Sequence, residues 1–371
     1  MLHALHGVLQ QAKNAIAQAL EKRPLIIYLG ALAILLVMAF ASTPTYYLGA
    51  MLFSVFLISK GSDWITDSMV PVAKWLGTSN LAVGLLLVSM LLSLPEIIIA
   101  LFAIFGGHTG IAFGVTIGSI IINIGIIIGL SALVRPLRVS RAMLLRDGIF
   151  MVIAATITVA LSTDLQITQQ EGFVFLLIFI PYVINVYEQE KSISPEARRE
   201  TEERIIMSLK FAGRLDPYEF ELHAGAFSFA AGVAMLLLGA KFFSDALIGT
   251  AAILDVPDLL IGLTLGALGP SIPNIAAGIQ ATRRGYEELA VSETIGSNIF
   301  TLLVTLGLVA MVKGLEIDAD AFFLNAVAML VMSYLFLALM LKGWITRRDG
   351  VFLLLVYAGI LAIQILFTPN V

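Results

Sequence analysis

Ser93-Leu94-Pro95-Glu96 and Thr116-Ile117-Gly118-Ser119 return later in the chain as Ser271-Ile272-Pro273-Asn274 and Thr294-Ile295-Gly296-Ser297, each 178 residues on. Laid over one another at that offset without a gap, residues 61–137 and 239–315 agree at about 24 of 77 positions, more than shared apolar composition would align. Asp67 falls on Asp245, Gly84 on Gly262, Gly107 on Gly285 and Gly129 on Gly307, and the match continues to Glu171-Gly172 against Asp349-Gly350. Self-similarity at a fixed period outranks any local reading of the chain.

The repeated unit is apolar. Of 371 residues 59% are hydrophobic and only 13% charged, with a mean hydropathy of +0.97, against about 25% charged in soluble domains. This excludes a soluble enzyme and a disordered scaffold, and a net charge of -4 gives no footprint for nucleic acid. Cysteine is absent, so disulfides, thiolate metal sites and cysteine nucleophiles are excluded too. Apolar runs fall at 24–42, 45–73, 79–105, 111–134, 143–162, 170–188, 223–253, 257–281, 288–313, 320–342 and 349–367. They are long and lack strict alternation, so they predict membrane helices rather than barrel strands.

Five of these runs belong to each copy of the repeat. An odd number sends the second copy into the membrane from the opposite face, so the expected fold is all-α: two inverted five-helix repeats, ten core transmembrane helices, and one extra helix in front. The divisions are 1–44 (an amphipathic stretch with Leu2, Leu5, Leu9, Ile16 and Leu20 at helical spacing, then the extra helix), 45–188 (first repeat), 189–222 (a charged linker) and 223–371 (second repeat). Ala39-Phe40-Ala41 resembles a cleavage site, but the apolar run before it exceeds a signal peptide's, so the first span reads as retained. The basic residues Arg135, Arg138, Arg141, Arg146, Arg283, Arg284, Arg347 and Arg348, with those of 189–222, all fall on one side. The positive-inside rule makes that side cytoplasmic, with the N-terminus, and puts the C-terminus outside, as in a cell (plasma or inner) membrane.

Inverted repeats bind substrate near the midplane on interrupted helices. The paired interruptions are Pro95, set against the carbonyl of Leu91, and Pro270 and Pro273, set against those of Gly266 and Gly269. Freed carbonyls at that depth need a partner, and a cation would serve. Glu96, directly after the first kink, is costly there unless it is a ligand, a proton carrier or the partner of a buried base, for which Lys60 is the candidate. On the following helices Ser119 and Asn123 lie one turn apart, as do Glu293, Ser297 and Thr301, with Asn298 beside them. Such hydroxyls often bond only their own backbone, but a symmetric set opposite two kinks predicts an oxygen-lined cage with Ser93, Ser271 and Asn274. Gly114, Gly118, Gly125 and Gly129, with Gly262, Gly266, Gly269 and Gly278, would let these helices approach closely. Asp67 and Asp245 read as groups at the mouth.

No lysine follows a glycine, so there is no phosphate-binding loop, and neither an HExxH helix nor a GxSxG turn is present. At Leu91-Leu92-Ser93-Leu94-Pro95-Glu96 with Gly114 to Asn123, and at Gly269-Pro270-Ser271-Ile272-Pro273-Asn274 with Ser292 to Thr301, the chain resembles the cation/calcium antiporter superfamily. That family carries a GTSLPE-like kink and a GNxxGSNxFN-like helix in each of two inverted repeats. The resemblance implies a non-enzymatic antiporter of alternating access that exchanges Ca2+, Na+ or H+ at Glu96, without a cofactor, with the lipid bilayer and the transported inorganic cations as partners and no nucleic acid. Asn274 stands where the family has a second acid, and Thr301 where it often has an acid or amide. Calcium usually takes more than one carboxylate, so Glu293 would have to restore a charge for sodium/calcium exchange. Otherwise a monovalent or proton-coupled exchanger is implied. A channel or a non-transporting relative is the remaining alternative.

Overall fold

The computed structural model describes residues 43–75, 90, 93–191, 226–317 and 319–367. The expected leading helix and amphipathic stretch, most of the linker and the Leu91 carbonyl lie outside these residues. Among the described residues ten helices follow in order: α1 Thr43–Trp75, α2 Leu94–Phe105, α3 Thr109–Val134, α4 Arg141–Leu161, α5 Gln169–Lys191, α6 Ala226–Leu254, α7 Asp258–Arg283, α8 Glu287–Lys313, α9 Ala319–Met340 and α10 Arg347–Phe367. Among the described residues nine are long and apolar enough to cross a membrane, and α2 is the described remainder of the run expected at 79–105. The starts of α3, α4 and α5 precede those of α8, α9 and α10 by the repeat offset of 178 residues.

The inversion can be read from four two-residue strands. β1 (Leu137–Arg138) pairs antiparallel with β4 (Trp344–Ile345), and β2 (Gln166–Ile167) with β3 (Leu315–Glu316). By the offset, β1 corresponds to β3 and β2 to β4. Each connection therefore meets the non-equivalent connection of the other copy: α3–α4 lies beside α9–α10, and α4–α5 beside α8–α9. Because α3–α4 and α4–α5 lie at opposite ends of α4, only oppositely oriented copies allow both pairings.

Glycine lets the copies close on one another. A Cβ at Gly172 of α5 would stand 2.7 Å from the carbonyl of Gly307 in α8, and one at Gly350 of α10 would stand 2.7 Å from that of Gly129 in α3. These are the same contact made twice. On α3, a Cβ at Gly114 would stand 2.9 Å from the Cα of Gly262 and one at Gly118 2.6 Å from the carbonyl of Leu263, both in α7. The small residues expected to permit close approach thus join the helices that carry the polar groups.

The fifth helix of each copy starts with the same cap. Glu171 Oε2 accepts from the Thr168 amide and hydroxyl, both at 2.8 Å, and Asp349 Oδ2 accepts identically from Thr346 at 2.8 Å. Reciprocal capping satisfies amides that have no partner inside the helix. Thr168→Val is expected to lower stability by about 1 kcal/mol, measured as the shift in reversible unfolding in detergent. An unchanged midpoint would show that solvent replaces the cap.

The prolines do not act alike. Pro95 lies in the first turn of α2, which begins just after a turn at Ser93, so the chain is interrupted there as expected and the missing N–H is tolerated. Pro270 and Pro273 lie inside α7, which runs through both; a wide π turn at Gly262–Gly266, just before them, takes up the mismatch. Two more π turns begin at equivalent residues, Asn123 in α3 and Thr301 in α8. A fourth, Leu144–Gly148 in α4, has no counterpart in α9.

Candidate cation site

The polar residues picked out from the sequence lie at the two π turns that begin at Asn123 and Thr301 and on the α-helical turns just before them, at the start of α2 and on the proline segment of α7. Glu96 is 1% exposed, and neither carboxylate oxygen has a hydrogen-bond partner. Lys60 is not its counter-charge, since its ammonium stands 3.9 Å from Asp63 on its own helix. Carboxylate oxygens removed from water and left without donors are costly, and a cation is the ligand that answers an acceptor-only group.

Polar contacts cross between the repeats here. The Ser93 and Ser297 hydroxyls are 3.0 Å apart, and Asn123 Nδ2 donates to Asn298 Oδ1 at 2.9 Å. Asn298 Nδ2 then faces the Met151 sulfur at 3.6 Å, so each end of the Asn298 amide has a protein partner, and its oxygen keeps a second lone pair. The Asn123 carbonyl oxygen is buried and unpartnered, as are the hydroxyls of Ser119 and Thr301. Ser271 donates to the Ala267 carbonyl at 2.8 Å, the backbone bond that serine and threonine often make in membrane helices.

Asn123, Asn274, Gly278, Glu293, Thr294 and Ser297 line one small cavity, with about 10 Å³ open to the centre of a water-sized sphere. Glu293 Oε1 is buried there without a partner. Four of the ten expected ligands (Asn123, Asn274, Glu293 and Ser297) therefore share a space the size of a single small ligand. Ser93 joins them through Ser297 and Asn298 through Asn123, while Glu96, Ser119, Ser271 and Thr301 are buried but do not line the cavity. Sequence reading passed over Ser131 and Thr305, whose hydroxyls are also buried and unpartnered. Their signal was present: each extends a series at four-residue spacing, Ser119-Asn123-Ile127-Ser131 and Glu293-Ser297-Thr301-Thr305.

A larger hollow of about 480 Å³ lies at the other end of α7, beside His108, Asp258 and Glu316. There His108 Nδ1 and Asp258 Oδ2 already meet at 2.7 Å. Size alone does not make it the site. Nowhere among the described residues do three histidine, cysteine or acidic side chains gather as a metal centre, so an ion in the smaller cavity would be held mainly by neutral oxygens.

A family model described as sodium/calcium exchanger protein matches residues 46–187 and 224–366, one segment for each repeat. The chain belongs to the sodium/calcium exchanger family. This exchanger-family chain is 30% identical over 334 residues to sodium/calcium exchanger MaX1 of Methanosarcina acetivorans, covering 83% of this chain and 95% of the relative. It is 27% identical over 288 residues to inner membrane protein YrbG of Escherichia coli, covering 77% and 86%. The solved structure of the sodium-calcium exchanger NCX_Mj soaked in 10 mM Na+ without Ca2+ superposes with a TM-score of 0.59 at 25% identity, covering 85% of this chain and 98% of that one. The protein is thus an integral membrane protein of an ion-transporting, non-enzymatic family.

Proposed function

We propose that the protein is a secondary cation antiporter of alternating access, exchanging Na+ against Ca2+, with Glu96 as a charged ligand near the membrane midplane. The single observation behind this reading is the buried Glu96 carboxylate, both oxygens unpartnered, in a family of exchangers. Ser93, Ser119, Asn123, Ser271, Asn274, Ser297, Asn298 and Thr301 would complete the oxygen shell. An ion leaving the site would expose a bare carboxylate to an apolar interior. Reorientation is then favourable only once a second cation or a proton has replaced it, which is the coupling an exchanger needs. The proposed setting is the cell (plasma or inner) membrane, with the cluster of basic connections cytoplasmic.

Asn274 favours a second reading on the same frame, exchange of monovalent cations or protons, because the second kink offers an amide where the first offers a carboxylate. Reconstituted protein separates the two. Calcium uptake into liposomes that depends on an opposing sodium gradient is expected. Sodium flux driven by protons or potassium, with calcium inert, would replace the first reading by the second, and flux without any counter-ion requirement would make the protein a channel.

A further inference from the structure

The first turns of α8 carry three glutamates, and they are not equivalent. Glu287 meets Arg135 at 2.7 Å and Glu288 meets Arg138 at 3.3 Å. Both sit in the first turn, where the helix dipole also favours an acid. Glu293 is the seventh residue of the helix, beyond the reach of that effect. Its buried Oε1 has no hydrogen-bond partner among the described residues, and it faces the cavity shared with Asn274 and with Asn123, whose Oδ1 is also unpartnered. The repeat does not account for it either: the equivalent residue in α3 is Val115, a buried apolar side chain packed so closely on Gly266 of α7 that a Cβ there would stand 2.9 Å from its Cγ2.

We propose that Glu293 is the second charged ligand of the transport site, supplied by α8 in place of the acid that α7 lacks at Asn274. The inference rests on the antiporter reading above and adds to it the residue that sets the charge, and hence the selectivity, of the site. With Glu96 alone the shell carries one negative charge and suits a monovalent ion; with Glu293 it carries two and suits a divalent one. Because residues 274 and 293 line one cavity, the carboxylate should be movable between them.

Thermal unfolding of the purified full-length protein, titrated with Na+ and with Ca2+, tests this. Glu293→Gln is expected to weaken the Ca2+ response by about tenfold or more, with a smaller effect on Na+, corresponding to one charged contact of about 1.4 kcal/mol. The exchange Glu293→Gln with Asn274→Glu should restore the Ca2+ response, which a purely structural glutamate could not do. Asn274→Glu alone, which does not depend on the stability of the Gln variant, should strengthen Ca2+ over Na+. A normal Ca2+ response in Glu293→Gln, or no gain in Asn274→Glu, overturns the proposal. Either result leaves the antiporter reading intact so long as Glu96→Gln abolishes the response. If Glu96→Gln is also silent, it is the antiporter reading that fails.

Discussion

Glu96→Gln should abolish counter-ion-dependent flux and, in the same protein, raise the stability of the cation-free state. The two effects have one origin. Glu96 is buried, and both of its carboxylate oxygens lack a donor, so the empty site carries an uncompensated polar burden that a bound cation relieves. Removing the charge from a buried pair costs about 2–5 kcal/mol, which converts to roughly 30- to 5,000-fold in ion affinity. The amide keeps the shape of the side chain and removes the charge, and an unpartnered neutral amide is less costly to bury than an unpartnered charge, so the ion-free protein should gain stability. Ion titrations should then show a raised starting midpoint and a flat response. A structural glutamate with an undetected partner would give the opposite starting shift, because losing the charge would strand that partner. Binding sites that are unstable when empty are a familiar form of the trade between stability and activity, and the opposite signs make this variant more informative than a loss of transport alone.

The repeat offset carried most of the fold. Once Ser93-Leu94-Pro95-Glu96 is laid on Ser271-Ile272-Pro273-Asn274, the five-helix unit, its inversion and the opposed glycines follow, because each depends on residues that recur at one spacing. What the sequence hid is what breaks that regularity. The strand pairs join connections about 210 and 150 residues apart through two residues each, too short for any alternating pattern. The π turns at Asn123 and Thr301 start at equivalent positions but leave no residue signature. The Asn123–Asn298 bond is invisible to symmetry, since the offset places Asn123 on Thr301 and Ile120 on Asn298. Proline was overread in the second copy alone: its missing N–H breaks a helix only where nothing nearby absorbs the strain, and Gly262–Gly266 does so in α7. The polar shell was legible as a set because membrane-depth polar residues are few. Which of its members share a cavity depended on how closely α3 and α7 approach.

That approach is the second feature expected to respond strongly to mutation. Gly114→Ala introduces a methyl 2.5 Å from the Leu259 carbonyl and 2.9 Å from the Gly262 Cα, and Gly118→Ala introduces one 2.6 Å from the Leu263 carbonyl. Both obstacles are backbone, which cannot swing aside as a side-chain end can, so α3 and α7 must separate. Overpacking a tight contact costs about 1–3 kcal/mol, and the two sites lie one turn apart on the same seam, so their costs should not simply add. Gly359 in α10 is the internal control. A methyl there meets nothing within 4 Å, and because alanine is the better helix former, Gly359→Ala should be neutral or stabilising by up to about 1 kcal/mol. The seam also carries the site: α3 holds Ser119 and Asn123, and α7 holds Ser271 and Asn274. Loss of stability in Gly114→Ala should therefore come with weakened cation stabilisation, although no ligand atom has changed. If Gly114→Ala behaved like Gly359→Ala in both readouts, the close seam between α3 and α7 would not be what assembles the cavity.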